Sequence, residues 1–466
     1  MKNLRLRAPS SLALSAVIAL LAGGAGAGLG CEANKNPNTV GGGGAGGNTG
    51  GTGNTMSTSN QGGTGNEIGI GGSGNTPNMG CDPGGPDDDT DKDGFTEAQG
   101  DCNDCDANTN PAAAEVIAEP DPNDPDGKVP DPADEDCDGL IDLDDPDLQP
   151  CDGSLELASL SPEDAVAAIG FCDKDKDGKT KFLKKATWVL ADGLPPNFGA
   201  IDADAFHKGH GLLDHFGSND LPREGKRMLV LSSGTARNKE DADFVSRNFN
   251  KQYSSNPPLT FNGESPACPG VVVPKTSVQD AAGLELEITA PSNALSLEFS
   301  FNFHSYEFPQ FICTQFNDFF WVNFIQGNVN QNISFDDKGN AISVNAAFLS
   351  QCACPGGNPG TCIAPPNPAP GQPTKAFDCK ATDLLAGTDF DGNTNVSLPG
   401  WTNGASGWLK TTRVVKPNET IKLRFVIFDS GVSQNGQKDH NVDSTVLIDK
   451  FRWHAIPAEN ETIIPD

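Results

Sequence analysis

The stretch ALSLEFSFNFH, residues 294–304, places an apolar side chain at every second position. Leu295, Leu297, Phe299, Phe301 and Phe303 share one face of an extended chain, and Ser296, Glu298, Ser300, Asn302 and His304 share the other. That period of two predicts a β-strand. It recurs in GLELEIT (283–289) and in TIKLRFVIF (420–428), where Ile421, Leu423, Phe425 and Ile427 alternate with polar or smaller positions. Further short strands are expected at RMLVLSS (227–233), DFFWVNFI (318–325), NAISVN (340–345) and DSTVLIDKFRW (443–453). Short strands divided by Gly, Pro and Asn turns describe a mainly β fold, an antiparallel β-sandwich that is jelly-roll-like.

A few short helices accompany the strands. SPEDAVAAIG (161–170) has a Ser161 cap, Pro162 in the first turn, and Glu163 and Asp164 at the positive end of the helix dipole. A weaker helical segment is expected from Ala203 to His215. The insert CACPGGNPGTCIAPPNPAPGQPTKAFDC (352–379) is expected to be a proline-rich loop pinned by its own cysteines.

The chain ahead of the sandwich has a different character. Residues 1–30 carry Lys2, Arg5 and Arg7, then an apolar run from Leu12 to Leu21 and small residues leading to Cys31, the pattern of an export signal. The run is too short to span a bilayer. A cysteine at that point suggests a bacterial lipoprotein acylated on Cys31, although Gly30 stands where a larger aliphatic residue is usual; ordinary secretion is the alternative. Residues 31–80 are dominated by Gly, Ser, Thr and Asn, which predicts a disordered linker with an r.m.s. span of about 40 Å. Residues 81–153 are acidic, rich in Pro and Asp, and too poor in apolar residues for a conventional core. The sandwich is expected over 154–456 and a short tail over 457–466.

The net charge of −31 argues against nucleic acid as a partner and against adhesion to anionic lipid by charge alone. Export also bears on the 13 cysteines, because thiols outside the cytoplasm are usually paired. With Cys31 set aside, Cys81, Cys102, Cys105, Cys137, Cys151 and Cys172 form one even set. Cys268, Cys313, Cys352, Cys354, Cys362 and Cys379 form another. Each set can close its own bridges, and the sequence leaves the pairing open.

The acidic segment carries the clearest chemistry. Asp89, Asp91, Asp93 and Gly94 occupy positions 1, 3, 5 and 6 of a calcium loop, but Gly100 stands where an EF-hand requires glutamate, with Asp101 next to it. The spacing recurs at Asp134, Asp136, Asp138 and Gly139, with Asp142, Asp144 and Asp145 available to complete a shell. A third copy, Asp173, Asp175, Asp177 and Gly178, has interleaved lysines that oppose a cation; a simple turn is the other reading. Zinc at Cys102 and Cys105 needs two more soft ligands, and no second CxxC follows. A redox CxxC needs a thioredoxin-like context that is absent.

Two family resemblances cover most of the chain beyond the linker. MLVLSSGTA (228–236), FHSYEFPQFICTQFNDFFWVNFI (303–325), NISFDDKGNAISVN (332–345), and the pair ASGWLKTTRVVKPNETIKLRFVIFDSG (405–431) and DSTVLIDKFRW (443–453) resemble, in order, the landmarks of the choice-of-anchor L domain. That resemblance implies an extracellular β-sandwich module borne by surface and secreted bacterial proteins. The acidic segment resembles the Asp-rich metal-binding motif of secreted bacterial proteins. The matching residues are Asp89, Asp91, Asp93, Gly94, Phe95, Asp101, Cys102, Asn103, Asp104, Pro111, Ala113 and Glu115, then Asp136, Cys137, Asp138, Gly139 and Asp142. It implies calcium held by Asp89, Asp91, Asp93, Asp101, Asp104, Asp134, Asp136, Asp138 and Asp142. The cysteine that usually follows the motif's glutamate is missing after Glu115, and Cys105, which the usual pattern lacks, is the candidate to take its pairing.

Enzymatic readings are thinner. His207, His210 and His215 in HKGHGLLDH lack the glutamate of HExxH, and LSSGTA lacks the glycine before serine that a nucleophile elbow requires. Glu307 and Asp318 suit either a carboxylate pair or a structural calcium site completed by Asp443 or Asp449; structural calcium or turn hydrogen bonding is the preferred reading. Phe316, Phe319, Phe320 and Trp321 are expected in the core. The sequence therefore predicts a non-enzymatic, surface-exposed lipoprotein at the outer membrane or cell surface, with structural calcium and an adhesive β-sandwich. Its partners would be an extracellular glycan, matrix or protein ligand, with the membrane reached through the lipid alone. A secreted hydrolase on a jelly-roll scaffold is the alternative.

Overall fold

A computed structural model describes residues 81–118, 120, 132–175, 177–246, 249–273, 275–346, 348–357, 359–392, 398–431 and 442–465. The export signal, Cys31 and the Gly-rich linker lie outside the described residues. In chain order the elements begin with α1 (Pro162–Ala168), β1 (Leu183–Val189), α2 (Ala203–His207), β2 (His210–Leu213), β3 (Met228–Ser232), β4 (Ser254–Ser255), β5 (Val278–Thr289) and β6 (Ser296–Ser305). They continue with β7 (Asn317–Gln326), β8 (Val329–Asn332), β9 (Ile342–Ser343), β10 (Gly360–Ala364), β11 (Lys375–Cys379), β12 (Gly404–Val414), β13 (Thr420–Ser430), β14 (Ser444–His454) and β15 (Glu461–Ile463).

The long strands build two antiparallel sheets. One runs β1-β5-β13-β7-β8, with β4 on β5 and β9 on β7; the other runs β15-β12-β6-β14-β3-β2. Successive long strands alternate between them: β5, β7 and β13 lie in the first sheet, and β6, β12 and β14 in the second. The chain therefore crosses the core at almost every connection, and one apolar face per strand is enough to fill it. Phe299 of β6 meets Phe425 of β13 at 5.0 Å, and Phe301 of β6 meets Phe320 of β7 at 4.9 Å. The alternating faces thus oppose each other across the core as a sandwich requires.

The polar face of β6 is buried as well. Every residue from Ser296 to Ser305 is covered, because residues 216–220 and 385–390 pack over the outside of the second sheet. Asn302 Nδ2 donates to Asp220 Oδ1 at 2.9 Å, and His304 Nε2 stands 3.2 Å from Asp220 Oδ2. Strand polarity alone does not announce such a second layer, since a polar side chain such as Asn302 finds its partner inside.

Several boundaries depart from expectation. The helix expected over 203–215 ends at His207, and His210–Leu213 pairs with β3 as an edge strand. The proline-rich insert contains a hairpin, β10–β11, although its cysteines do close among themselves as Cys352–Cys379 and Cys354–Cys362. The expected tail contributes β15, which pairs with β12.

The acidic segment packs onto the sandwich. Ala114 and Val116 enter the main core beside Phe171 and Phe451. Ala114 exchanges two hydrogen bonds with the Asn293 side chain, at 3.0 and 2.8 Å, and Ser292 N–H donates to the Ala112 carbonyl. Cys151–Cys172 crosses the boundary expected at residue 153.

Candidate functional site

The first acidic loop is built from backbone turns that its own aspartates cap. Asp89 Oδ1 accepts from Lys92 N–H at 2.7 Å and its Oδ2 from Gly94 N–H at 3.2 Å. Asp91 Oδ1 accepts from Asp93 N–H, Asp93 Oδ1 from Phe95 N–H, Asp101 Oδ1 from Asn103 N–H, and Asp104 Oδ1 from Thr90 N–H. Gly94, at φ +101°, takes the left-handed conformation that lets the loop close. In each of Asp91, Asp93, Asp101 and Asp104, one oxygen is used on the backbone. The other, Oδ2, is buried and has no protein partner.

Those oxygens converge. Ligand atoms of Asp89, Asp91 and Asp104 lie within 4.8 Å of one another, and so do those of Asp91, Asp93 and Asp101. All five carboxylates predicted in this loop are thereby brought together, with Asp91 shared between the two sets. Burial pushes Asp91 up to about 6, and the neighbouring charges of Asp93, Asp101 and Asp104 add to the rise against the Asp93 N–H bond. Burial likewise raises Asp93 and Asp101. Buried oxygens of like charge, facing one another, suit a hard cation that takes only oxygen ligands, as calcium does.

The second loop repeats the design. Asp134 accepts from Asp138 N–H and Gly139 N–H, and Asp134, Asp136 and Asp138 place ligand atoms within 4.8 Å. A further set joins Glu115, Asp136 and Asp145, all buried. Glu115 Oε1 accepts from Asp142 N–H at 2.6 Å, and Asp145 keeps a buried Oδ2 without a protein partner. Burial pushes Glu115 up to about 9 and Asp145 up to about 6. Asp142, expected as a ligand, donates its backbone N–H to Glu115 and accepts from Ala118 N–H through Oδ1, and it joins no three-carboxylate set among the described residues. Asp145, which does, lies three residues further on, between two short 3-10 turns, Asp142–Asp144 and Pro146–Leu148. Glu115 matched the Asp-rich motif in the sequence, but the insert that parts it from Asp136 hid their convergence.

The third Asp-x-Asp-x-Asp copy is a turn. Asp175 Oδ1 accepts from both Asp177 N–H and Lys179 N–H, and Lys174 bridges to Thr180. Among the described residues it contributes to no three-carboxylate set.

The cysteines settle their own question. Cys81 pairs with Cys105 and Cys102 with Cys137, which removes the CxxC as a zinc or redox centre. Cys151–Cys172 completes the first set, and Cys268–Cys313 joins the two insert bridges in the second. Each half closes among its own six cysteines, and Cys105 takes Cys81.

The histidines do not assemble. His207 Nδ1 and His210 Nε2 are 2.8 Å apart; His210 is buried and stacked on Trp188 at 3.8 Å, and burial holds it well below its ordinary value. His215 lies at the surface beside Asp214 and Glu240. Glu307 and Asp318 are both buried, and Glu307 Oε2 accepts from Asp318 N–H at 2.8 Å. Asp318 faces Asp429 across β7 and β13. Asp449 sits elsewhere, on β14, where it accepts from Arg223 N–H and Glu224 N–H. Of the four aromatic residues expected in the core, Phe319, Phe320 and Trp321 are buried and Phe316 is half-buried.

A family model, that of the choice-of-anchor L domain, matches residues 208–451, more than half of the chain and nearly all of both sheets. The chain belongs to the choice-of-anchor L family. No curated relative matches it. Membership, together with six disulfides of the kind that form outside the cytoplasm, makes this choice-of-anchor L protein an exported, surface-associated bacterial protein. The match begins at α2–β2, so β1 and the acidic segment stand outside it.

Proposed function

We propose that this choice-of-anchor L protein is a lipid-anchored, calcium-stabilised adhesive module without enzymatic activity. The observation that carries the calcium reading is the nest of Asp91, Asp93, Asp101 and Asp104, whose buried Oδ2 atoms meet with no cation among the described residues to balance them. A hard cation supplies what the protein does not. The Glu115, Asp136 and Asp145 set is a second seat for the same chemistry, at the junction with the sandwich. Calcium there neutralises repulsion among the aspartates and fixes the segment against the domain it adjoins.

A lipid on Cys31 would hold the protein to a membrane, with the Gly-rich linker as its tether and the sandwich presented outward to a ligand. The non-enzymatic reading is supported by Glu307 and Asp318, which are fully covered and bonded to each other through the backbone. Calorimetric titration of the metal-free protein with calcium tests the calcium reading. Heat of binding and new protease resistance between residues 81 and 153 are expected; neither appearing would sink it. Metabolic labelling with a fatty-acid probe, lost in Cys31→Ala, tests the anchor.

A further inference from the structure

Outside the first sheet, between the 260–272 loop and strands β7 and β8, lies a cleft of about 790 Å³. Its size falls within the range of small-ligand sites, which is about 300–1,000 Å³. Trp321 forms part of its floor. The indole is packed edge-on against Phe261 at 5.5 Å and is only 4 % exposed, and its Nε1–H has no acceptor in the protein. Trp321 thus gives the cleft a rigid, largely covered floor. Asn262, Asn330 and Gln331 line the walls as exposed amides, each both donor and acceptor. Half-buried Phe335 and the exposed ring of Pro266 supply apolar faces.

The lining carries one ionisable side chain, Glu264, and no basic one. In a chain of net charge −31, such a cleft disfavours phosphate, sulfate and carboxylate ligands. Neutral amides and small apolar faces suit a ligand that combines hydroxyls with C–H faces. We infer that this cleft binds a neutral oligosaccharide, with the Asn262, Asn330 and Gln331 amides reading its hydroxyls. The inference rests on the reading of the sandwich as an adhesive module and names the ligand class for it.

The test uses the full chain with calcium on an array of neutral, sialylated and sulfated oligosaccharides beside an array of extracellular-matrix proteins. Selective binding to neutral glycans is expected. Gln331→Ala and Asn330→Ala, at exposed positions, should each weaken it at least tenfold by calorimetry. Neutral-glycan binding that survives both amide variants overturns the assignment, and so does a preference for acidic glycans. Binding confined to matrix proteins, whose edge-strand pairing on β8 is the competing mode, overturns the cleft and leaves the adhesive reading standing. Silence on both arrays overturns both.

Discussion

Lys181 Nζ lies 2.7 Å from Asp136 Oδ2, and both groups are largely covered. The lysine belongs to the segment leading into β1, and the aspartate is shared by the two carboxylate sets of the second acidic loop. One ammonium thus acts where a divalent ion is proposed to act, and the two compete for the same oxygen. Lys181→Met should lower the stability of the calcium-free protein by about 1–3 kcal/mol, since it leaves a buried charge unbalanced. The same variant should bind calcium more tightly. Thermal melts with and without calcium check both arms, and a variant weaker in both would place Asp136 outside the calcium site.

The carboxylates would make the proposed calcium binding pH-dependent. Asp91 is raised from 3.8 to about 6, so its own contribution to the calcium-free fold is fully present below about pH 4 and is lost as pH rises through 6. Calcium needs the ionised form, and its affinity should climb over the same interval. Stability with and without calcium should therefore diverge between pH 4 and pH 6. Curves that run parallel there would contradict the role of Asp91.

Glu298 offers the opposite sign. Burial raises it, but His454 and Lys410 outweigh burial and hold it down at about 2 against an ordinary 4.5. Lys410 Nζ stands 3.0 Å from its carboxylate. The pair's stabilisation is present above pH 4.5 and is lost as pH falls through about 2. Glu298→Gln should cost about 2–3 kcal/mol at neutral pH, and the deficit should vanish near pH 2 in matched urea melts.

Packing across the two sheets should be sensitive to single rings. Phe301 is fully buried and meets Phe320 across the core at 4.9 Å. Phe301→Ala should cost about 3–5 kcal/mol. Denaturant titration checks this, and a loss under 1 kcal/mol would mean the interior refills.

The central strands were legible because one face of each packs into the apolar core between the sheets; β5, β6 and β13 fall where alternation placed them, and β7 and β14 where further short strands were expected. Short edge strands were not. Residues 210–213 form a strand only because β3 offers them a partner, and nothing in HGLL itself distinguishes strand from helix. The clustering of the first acidic loop was legible, since its five aspartates lie within 16 positions. Glu115 and Asp145 depend on a chain reversal that closes through Cys102–Cys137 and the contacts of Ala112 and Ala114 with Ser292 and Asn293. The Trp321 cleft left no trace in the sequence, because the loop that walls it off carries no periodic signal.

The family match starts at residue 208, but β1 pairs along residues 283–288 of β5, and Trp188 of β1 stacks on His210. A fragment cut at the family boundary would leave β5 as a bare sheet margin. Its N–H and C=O groups would stand unpaired beside Leu284, Leu286 and Ile288, and the hole vacated by Ala114 and Val116 would lie open nearby. Such a fragment should self-associate edge to edge, whereas one that begins at Cys81 should stay monodisperse. The functional unit of this protein is thus longer at its N-terminal side than the portion by which its family is recognised.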